Sequence, residues 1–410
     1  MRFSLLCVLC ASVVLASCRQ PTGFTIAVVA GVEGDALKSA AQEYGRRHGG
    51  LEMEIVELPY SSLFEKILLD TTFATGAYDV VMMDDPWFPR LAEHEKLTAM
   101  EPLLPAGLDP DFLAACVAVC REPYRTGKLY ALPYVGNSQL YFYRKDLFEK
   151  YHLPPPKTWQ DVLESARRIQ EGEKIFGYVM RAAQGNAVVA DYMPLFWAFG
   201  GEMFTADGRA NATSPESIAA LRFMLELGKY SPPAYVSFNA DEVSAHLLQG
   251  TAAQSINWPA WIPPMDDPGK SKVAGKIAFT TLPSAARPGA AEIGNWLLAI
   301  PRKSRHSATA LDFIVWATAP EQMRIAAARG NPPTRRSLFA DPELRGRFRA
   351  YPVQEQSLES SRPRPRTPYW NEIENTFGIY LSKANSGKMS PEEAMDRANR
   401  EIQAILERTK

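Results

Sequence analysis

Histidine is scarce in this chain, and cysteine is scarcer still in the part that could carry chemistry. The five histidines, His48, His94, His152, His246 and His306, are scattered over polar or helical stretches, and none falls at a metal-ligand spacing. Of five cysteines, three lie at positions 7, 10 and 18, which leaves Cys116 and Cys120 in the body of the chain. Two residues four apart on one helix point their Cβ atoms poorly for a disulfide, and two cysteines alone hold no zinc, so both read as small buried apolar side chains. Charge of one sign is also lacking: Lys+Arg 45 against Asp+Glu 46 leaves a formal charge of −1, with no polybasic field for nucleic acid. There is no G-x-S-x-G, no H-E-x-x-H and no glycine-rich phosphate loop or Walker motif. Beyond the N-terminus, no stretch reaches the roughly 18 uninterrupted apolar residues of a membrane span.

What is present begins with "MRFSLLCVLCASVVLASC", which has a positive Arg2, an apolar run from Phe3 to Ala16 and small residues ahead of Cys18. The run is short for a transmembrane helix and reads as a secretion signal over residues 1–17. Its end, Leu15-Ala16-Ser17-Cys18, looks like a bacterial lipobox, in which Cys18 becomes the acylated first residue and residues 18–23 a tether. Plain secretion with cleavage nearby is the rival reading. The remaining composition, 46% hydrophobic and 22% charged, is that of a globular chain long enough for two lobes. Thirty-two prolines gather in loops such as "NWPAWIPP" and "RPRPRTP", where rigid surface segments suit binding.

From Phe24 onward the pattern alternates: strand "FTIAVVAG", helix "DALKSAAQEYGRRH", strand "LEMEIVELPY", helix "SLFEKILLDTTFAT", buried strand "YDVVMMDD". That order predicts an α/β fold with a parallel sheet, whose ligands bind beyond the carboxyl ends of the strands. Those ends fall at 31–35, 60–62 and 84–87. A second unit carries the helix "KTWQDVLESARRIQEG", with Thr158 as its N-cap and Trp159 as core. Strands follow at "AAQSINW", "KIAFTTLP" and "NWLLAIP", then one long helix from Ser307 to Gly330 and a last one capped by Ser390. Within "SINWPAWI", Trp258 precedes proline, so the loop is stiff and its indole is held in place in advance. Flat aromatic faces cover apolar patches of a small molecule, while carboxylates, amides and arginine satisfy its polar groups.

Four blocks in order, "YDVVMMDDPWFPRLAEHEKLTAMEPL", "GKLYALPYVGNSQLYFYRKDLFEKYHLPPPKTWQDVLESARRI", "GNWLLAIPRKSRHSATALDFIVWATAPEQM" and "RPRTPYWNEIENTFGIYLSKANSGKMSPEEAMDRANREIQAIL", resemble the bacterial extracellular solute-binding proteins of family 1, carbohydrate-binding lipoproteins of ABC transporters. "INWPAW" followed by "GNW" is similar to the trehalose/maltose-binding group. The resemblance implies a type II periplasmic-binding-protein fold: two α/β lobes, each a mainly parallel sheet flanked by helices, joined by a hinge crossed three times. It would place the crossings near Tyr134–Gln139, near Gly294–Leu297 and around 338–348, giving an N-terminal lobe of 24–135 plus 297–340 and a C-terminal lobe of 138–293 plus 341–410.

Carried over position by position, the resemblance makes Trp258 and Trp296 stacking faces, with Gly294 allowing close approach. Where relatives have an aromatic two residues after the first tryptophan this chain has Ala260, and Trp261 is the candidate substitute. Asp84 and Glu33 match hydroxyl-binding carboxylates, Asn137 stands where some relatives carry Asp, and Arg364 matches a sugar-contacting arginine whose register Arg362 and Arg366 leave open. Tyr60, Trp87 and Tyr369 are further candidates, each set against plain packing. The implied function is capture of a di- or oligosaccharide between lobes by a monomer without cofactor, catalysis, metal or nucleic-acid partner. The same resemblance implies delivery to an ABC permease and its ATPase, from a lipid anchor at Cys18 in the cell envelope, in the periplasm or on the outer face of the cytoplasmic membrane. Rival readings are a glycerophosphodiester binder, a glycan-active enzyme and a ligand-free adhesin. Against the enzyme, Asp84 and Asp85 are adjacent and on a strand would face opposite ways, and Asp266-Asp267 lie in a loop with no evident partner.

Overall fold

In a computed structural model of the chain, residues 23–408 are described, apart from 94 and 105. The expected signal, Cys18 and nearly all of the tether lie outside the described residues. Along the chain the strands are β1 (Phe24–Val29), β2 (Met53–Leu58), β3 (Val80–Asp84), β4 (Arg121–Glu122), β5 (Lys128–Leu129), β6 (Ala131–Val135), β7 (Leu140–Arg144), β8 (Gln254–Asn257), β9 (Ile277–Thr280) and β10 (Trp296–Ala299). β1 and β3 are buried at every position, as the continuous apolar runs "FTIAVV" and "VVMMD" require of strands covered by helices on both faces. The first sheet has the order β2-β1-β3-β10-β6 and the second β8-β7-β9, while β4 and β5 pair by themselves.

The two-lobe α/β architecture is the expected one, with strand directions mixed rather than mainly parallel. β1 runs parallel to β2 and β3, but β10 runs against both β3 and β6. In the second sheet β7 is antiparallel to β8 and to β9. The chain returns into the first sheet from the other lobe, so β10 enters it from the opposite end. The single helix expected from Ser307 to Gly330 is two, Ser307–Ala317 and Pro320–Ala328. Pro320 has no N–H to continue the ladder and holds Ala319 extended, at ψ 151.

Two hydrophobic cores result. One gathers β1, β3, β6, β10 and the helices packed on them; the other gathers β7 with the helices Trp159–Gly172, Asn186–Ala198, Pro215–Gly228, Trp370–Asn385 and Pro391–Glu407. Thr158 caps its helix as read from the sequence: its hydroxyl accepts from Asp161 N at 3.1 Å and its own N–H donates to the Asp161 carboxylate at 2.8 Å. Trp159, Cys116 and Cys120 are buried, the cysteines unpaired.

The segments joining the cores bridge one another: Ser138 pairs with Ile293 and Glu292 with Arg362. Leu338, Phe339, Leu344, Phe348, Tyr351 and Leu358 belong to the first core, whereas Ala350 and Trp370 belong to the second, so residues 350–358 lie against both. The short helices Arg336–Ala340 and Pro342–Arg347 carry apolar residues that only the first core covers.

Candidate functional site

The parallel run of β1, β2 and β3 brings their carboxyl ends to one edge of the first sheet, and β6, antiparallel to β10, ends there too. Because β10 opposes β3 and β6, it begins at that edge, with Trp296 paired to Asp84 on one side and Val135 on the other. Five candidate residues therefore converge. Glu33 sits in the first turn of the helix Val32–Arg47, Tyr60 opens the helix Tyr60–Phe73, Asp84 ends β3, Asn137 follows β6 and Trp296 starts β10. Tyr60 Oη donates to Asp84 Oδ2 at 2.8 Å, and the Asn137 amide donates to the Glu33 carboxylate. Asp84 also caps its own turn by accepting from Asp85 N at 3.0 Å. Trp87 is wholly buried behind this row, 4.7 Å from the Tyr60 ring and 5.7 Å edge-on to Trp296. It braces the other two rings from behind.

From the segment that re-enters the second lobe comes Arg364, only 3% exposed. Its Nη2 lies 3.2 Å from both Asp84 oxygens and 3.4 Å from Asp85 Oδ1, its Nε 3.5 Å from Glu292 and its Nη1 3.8 Å from Glu374. Arg366 donates to the Asp85 carbonyl at 2.9 Å, while Arg362 turns outward to Glu202 at 2.8 Å. Of the three arginines, Arg364 is the one that meets the Asp84 carboxylate. Asp84 and Asp85 do not face opposite ways. Asp84 is the last strand residue and Asp85 the first of a 3₁₀ turn, so both reach Arg364. Asp266, expected without a partner, holds Arg349 through two bonds of 2.9 and 2.8 Å.

Trp258 leaves β8 and lays its ring on the hinge. A Cβ at Gly294 would fall 2.9 Å from the ring's Cη2, so only glycine admits the indole there. The Arg181 guanidinium stands 5.5 Å from the Trp258 centroid and is itself held by Asp191, Nε to Oδ1 at 2.6 Å. Trp261 and Tyr369, two other candidates, pack in part against the second core. The residue reading did not single out Arg181, Asp191, Glu292 or Glu374, nor Asp85 as the carboxylate shared by Arg364 and Arg366. Glu292 stands two residues before Gly294 in "EIGNW", and Glu374 one helical turn after Trp370; nothing local marks Arg181.

A family model described as bacterial extracellular solute-binding protein matches residues 30–324. The chain belongs to that family. It is 28% identical over 302 residues to a probable amino-acid ABC transporter periplasmic-binding protein of Sinorhizobium fredii, covering 72% of this chain and 68% of that one. A solute-binding protein of an ABC transporter from Agrobacterium radiobacter K84, solved in complex with ribitol, superposes with a TM-score of 0.87 at 26% identity, over 94% of this chain and 99% of that one. The maltose-bound MalE3 of T. maritima gives 0.85 at 27% identity, over 94% and 100%. The family is one of extracellular solute-binding proteins, and the Sinorhizobium relative is described as periplasmic. Among the described residues no helix is long and apolar enough to cross a membrane.

In this solute-binding protein the site is largely buried and acid-rich. Burial pushes the Glu292 carboxyl up to about 8 and that of Asp85 to about 7, in each case against the pull of Arg364. Glu33 is pushed up to about 7, by burial first and then by Asp84 across the gap, against its bond from Asn137; it keeps some solvent contact, which limits the effect. Burial likewise raises Glu374 and Asp191. Burial works against the charge of Arg364, but Asp84, Glu292 and Asp85 outweigh it and raise its pKa. Such a set can clasp a polyhydroxylated molecule: carboxylates to accept its hydroxyls, a guanidinium to donate, and indoles to cover its apolar faces. No group of three or more His, Cys, Asp or Glu among the described residues could hold a metal ion.

Proposed function

We propose that this protein is the solute receptor of an ABC importer, closing two lobes around a sugar or polyol and delivering it to a membrane permease and its ATPase. The observation that carries the reading is the meeting of Asp84 with Arg364 at 3.2 Å, since one ends a strand of the first sheet and the other belongs to the segment between cores. Contacts that join lobes only when they are closed are those through which a ligand favours the closed form. The ribitol and maltose bound by the two structural neighbours support a polyhydroxylated class. Trp258 and Trp296 supply stacking faces, with Glu33, Asp84, Asn137 and Arg364 as hydrogen-bonding groups. Gly294 keeps the Trp258 ring flat on the hinge, Tyr60 and Trp87 hold Asp84 and Trp296 in place, and Trp261 and Tyr369 border the second lobe. A glycerophosphodiester fits worse, because its anion would enter beside carboxylates that already occupy Arg364. The site is read as non-catalytic.

The two bodies that move are read as residues 24–135 with 297–358, and 138–293 with 362–408. The lipid on Cys18 holds a monomer in the periplasm or on the outer face of the cytoplasmic membrane, with residues 18–23 as leash. Titration with mono- and disaccharides and polyols, read by tryptophan emission and thermal shift, tests the binding claim. A ligand at 100 times its Kd stabilises the folded state by about 2.7 kcal/mol and raises Tm by several degrees. No emission change and no shift with any sugar or polyol, but a response to glycerophosphodiesters, would replace this reading with the rival one.

A further inference from the structure

The closed cleft holds more negative than positive groups. Five carboxyl groups, Asp84, Asp85, Asp191, Glu292 and Glu374, are linked through contact or field to three guanidiniums, Arg181, Arg364 and Arg366, and a sixth, Glu33, lies in the field of Asp84. Tyr60 and Asn137 face the same groups as neutral donors to Asp84 and Glu33. Every carboxyl except Glu33 is buried, and unpaired charge in such a place is strongly unfavourable. The acceptors are also incompletely used. Neither oxygen of Glu292 takes part in a hydrogen bond, and the Asn137 amide, buried and turned toward Glu33, has no donor at its Oδ1.

On the reading that the site binds a polyhydroxylated solute, we infer that the solute also carries a protonated amine, as an amino sugar or amino polyol does. An ammonium brings three N–H donors and the positive charge this cluster lacks; a hydroxyl brings one donor and no charge. With the cleft empty, the deficit is met by protons. Glu33, Asp85 and Glu292 hold theirs to about neutral pH or above. A cation entering among them removes the reason for at least one of those protons to stay, so binding expels it into buffer. A neutral polyol leaves the protons where they are. Charge thus separates two solutes of nearly equal shape.

The test uses isothermal titration of the purified protein with matched sets that differ only at nitrogen. These are glucose, glucosamine and N-acetylglucosamine; sorbitol and glucamine (1-amino-1-deoxysorbitol); and trehalose and an aminotrehalose. Each titration is run at pH 7.5 in phosphate and in MOPS, buffers that are not amino polyols and differ in ionisation heat, so that proton release appears as a difference in heat. The expected result is at least tenfold tighter binding of the amine in whichever set is recognised, with release of about one proton. Glu292→Gln, which leaves Arg364 its other three carboxylates, should cut the amine's advantage over the neutral member severalfold and reduce the proton release. Neutral members binding as tightly as the amines, or amine binding without proton release, would overturn the inference and leave the polyhydroxylated-solute reading standing. Silence from every member of every set would count against both.

Discussion

Replacing Glu292 by glutamine should make the ligand-free protein more stable at alkaline pH. Glu292 lies fully buried on the hinge, 3.5 Å from Arg364, and its carboxyl is pushed from 4.5 up to about 8, chiefly by burial. A carboxyl whose folded pKa is raised binds its proton more tightly in the native than in the unfolded state. Its contribution is therefore most favourable at or below about pH 4.5 and is lost as pH rises toward 8. At about 1.4 kcal/mol per pKa unit, the gap corresponds to something on the order of 5 kcal/mol at pH 8. The glutamine variant escapes that penalty but buries an amide with few partners, which takes back about 1–2 kcal/mol. A net gain of roughly 3 kcal/mol at pH 8, shrinking to nothing by pH 5, is expected from urea unfolding of wild type and variant side by side. Arg364 is not orphaned by the change, because Asp84, Asp85 and Glu374 stay within 3.8 Å of it. A variant that is less stable than wild type at pH 8, or whose difference does not grow with pH, would refute the picture of an acid-rich hinge.

Trp258→Ala should weaken solute binding by about 10- to 100-fold, the loss of one stacked aromatic face, with calorimetric titration as the readout. Gly294→Ala places a methyl 2.9 Å from the Trp258 ring and should displace the indole, reproducing part of that affinity loss and lowering stability by roughly 1–3 kcal/mol in denaturant unfolding. Thr158→Ala removes a helix cap in the second lobe and should lower stability by about 1 kcal/mol while leaving affinity untouched, which a melting curve with and without solute would check.

The strand–helix alternation from Phe24 to Asp84 was legible because each piece is written locally, in an apolar run or a helical period bounded by turn residues. Thr158 was legible for the same reason: a cap and its partner Asp161 are three residues apart. Direction within a sheet is not a local property. The run "NWLLAIP" reads as a strand either way, and only the geometry of the return from the second lobe makes it antiparallel and brings Trp296 opposite Asp84.

The site failed to be legible in a related way. A carboxylate at a strand end announces itself, as Asp84 did, but its electrostatic partners arrive from positions 292, 364 and 374, where sequence spacing carries no information. The segment Arg362 to Arg366 shows what would have been needed. Prolines at 363 and 365 keep it extended, so its three arginines diverge: one outward to Glu202, one into the cleft, one to the Asp85 carbonyl. Which is which depends on a bridge between Glu292 and Arg362 that fixes the segment's register against the hinge. The same bridge sets Glu292 beside Arg364, so a shift of one residue there would cost the cleft its guanidinium and leave its buried carboxylates facing one another. Chemistry at this site is therefore a consequence of how the hinge strands pair, and substitutions that loosen that pairing should act on binding without touching a ligand.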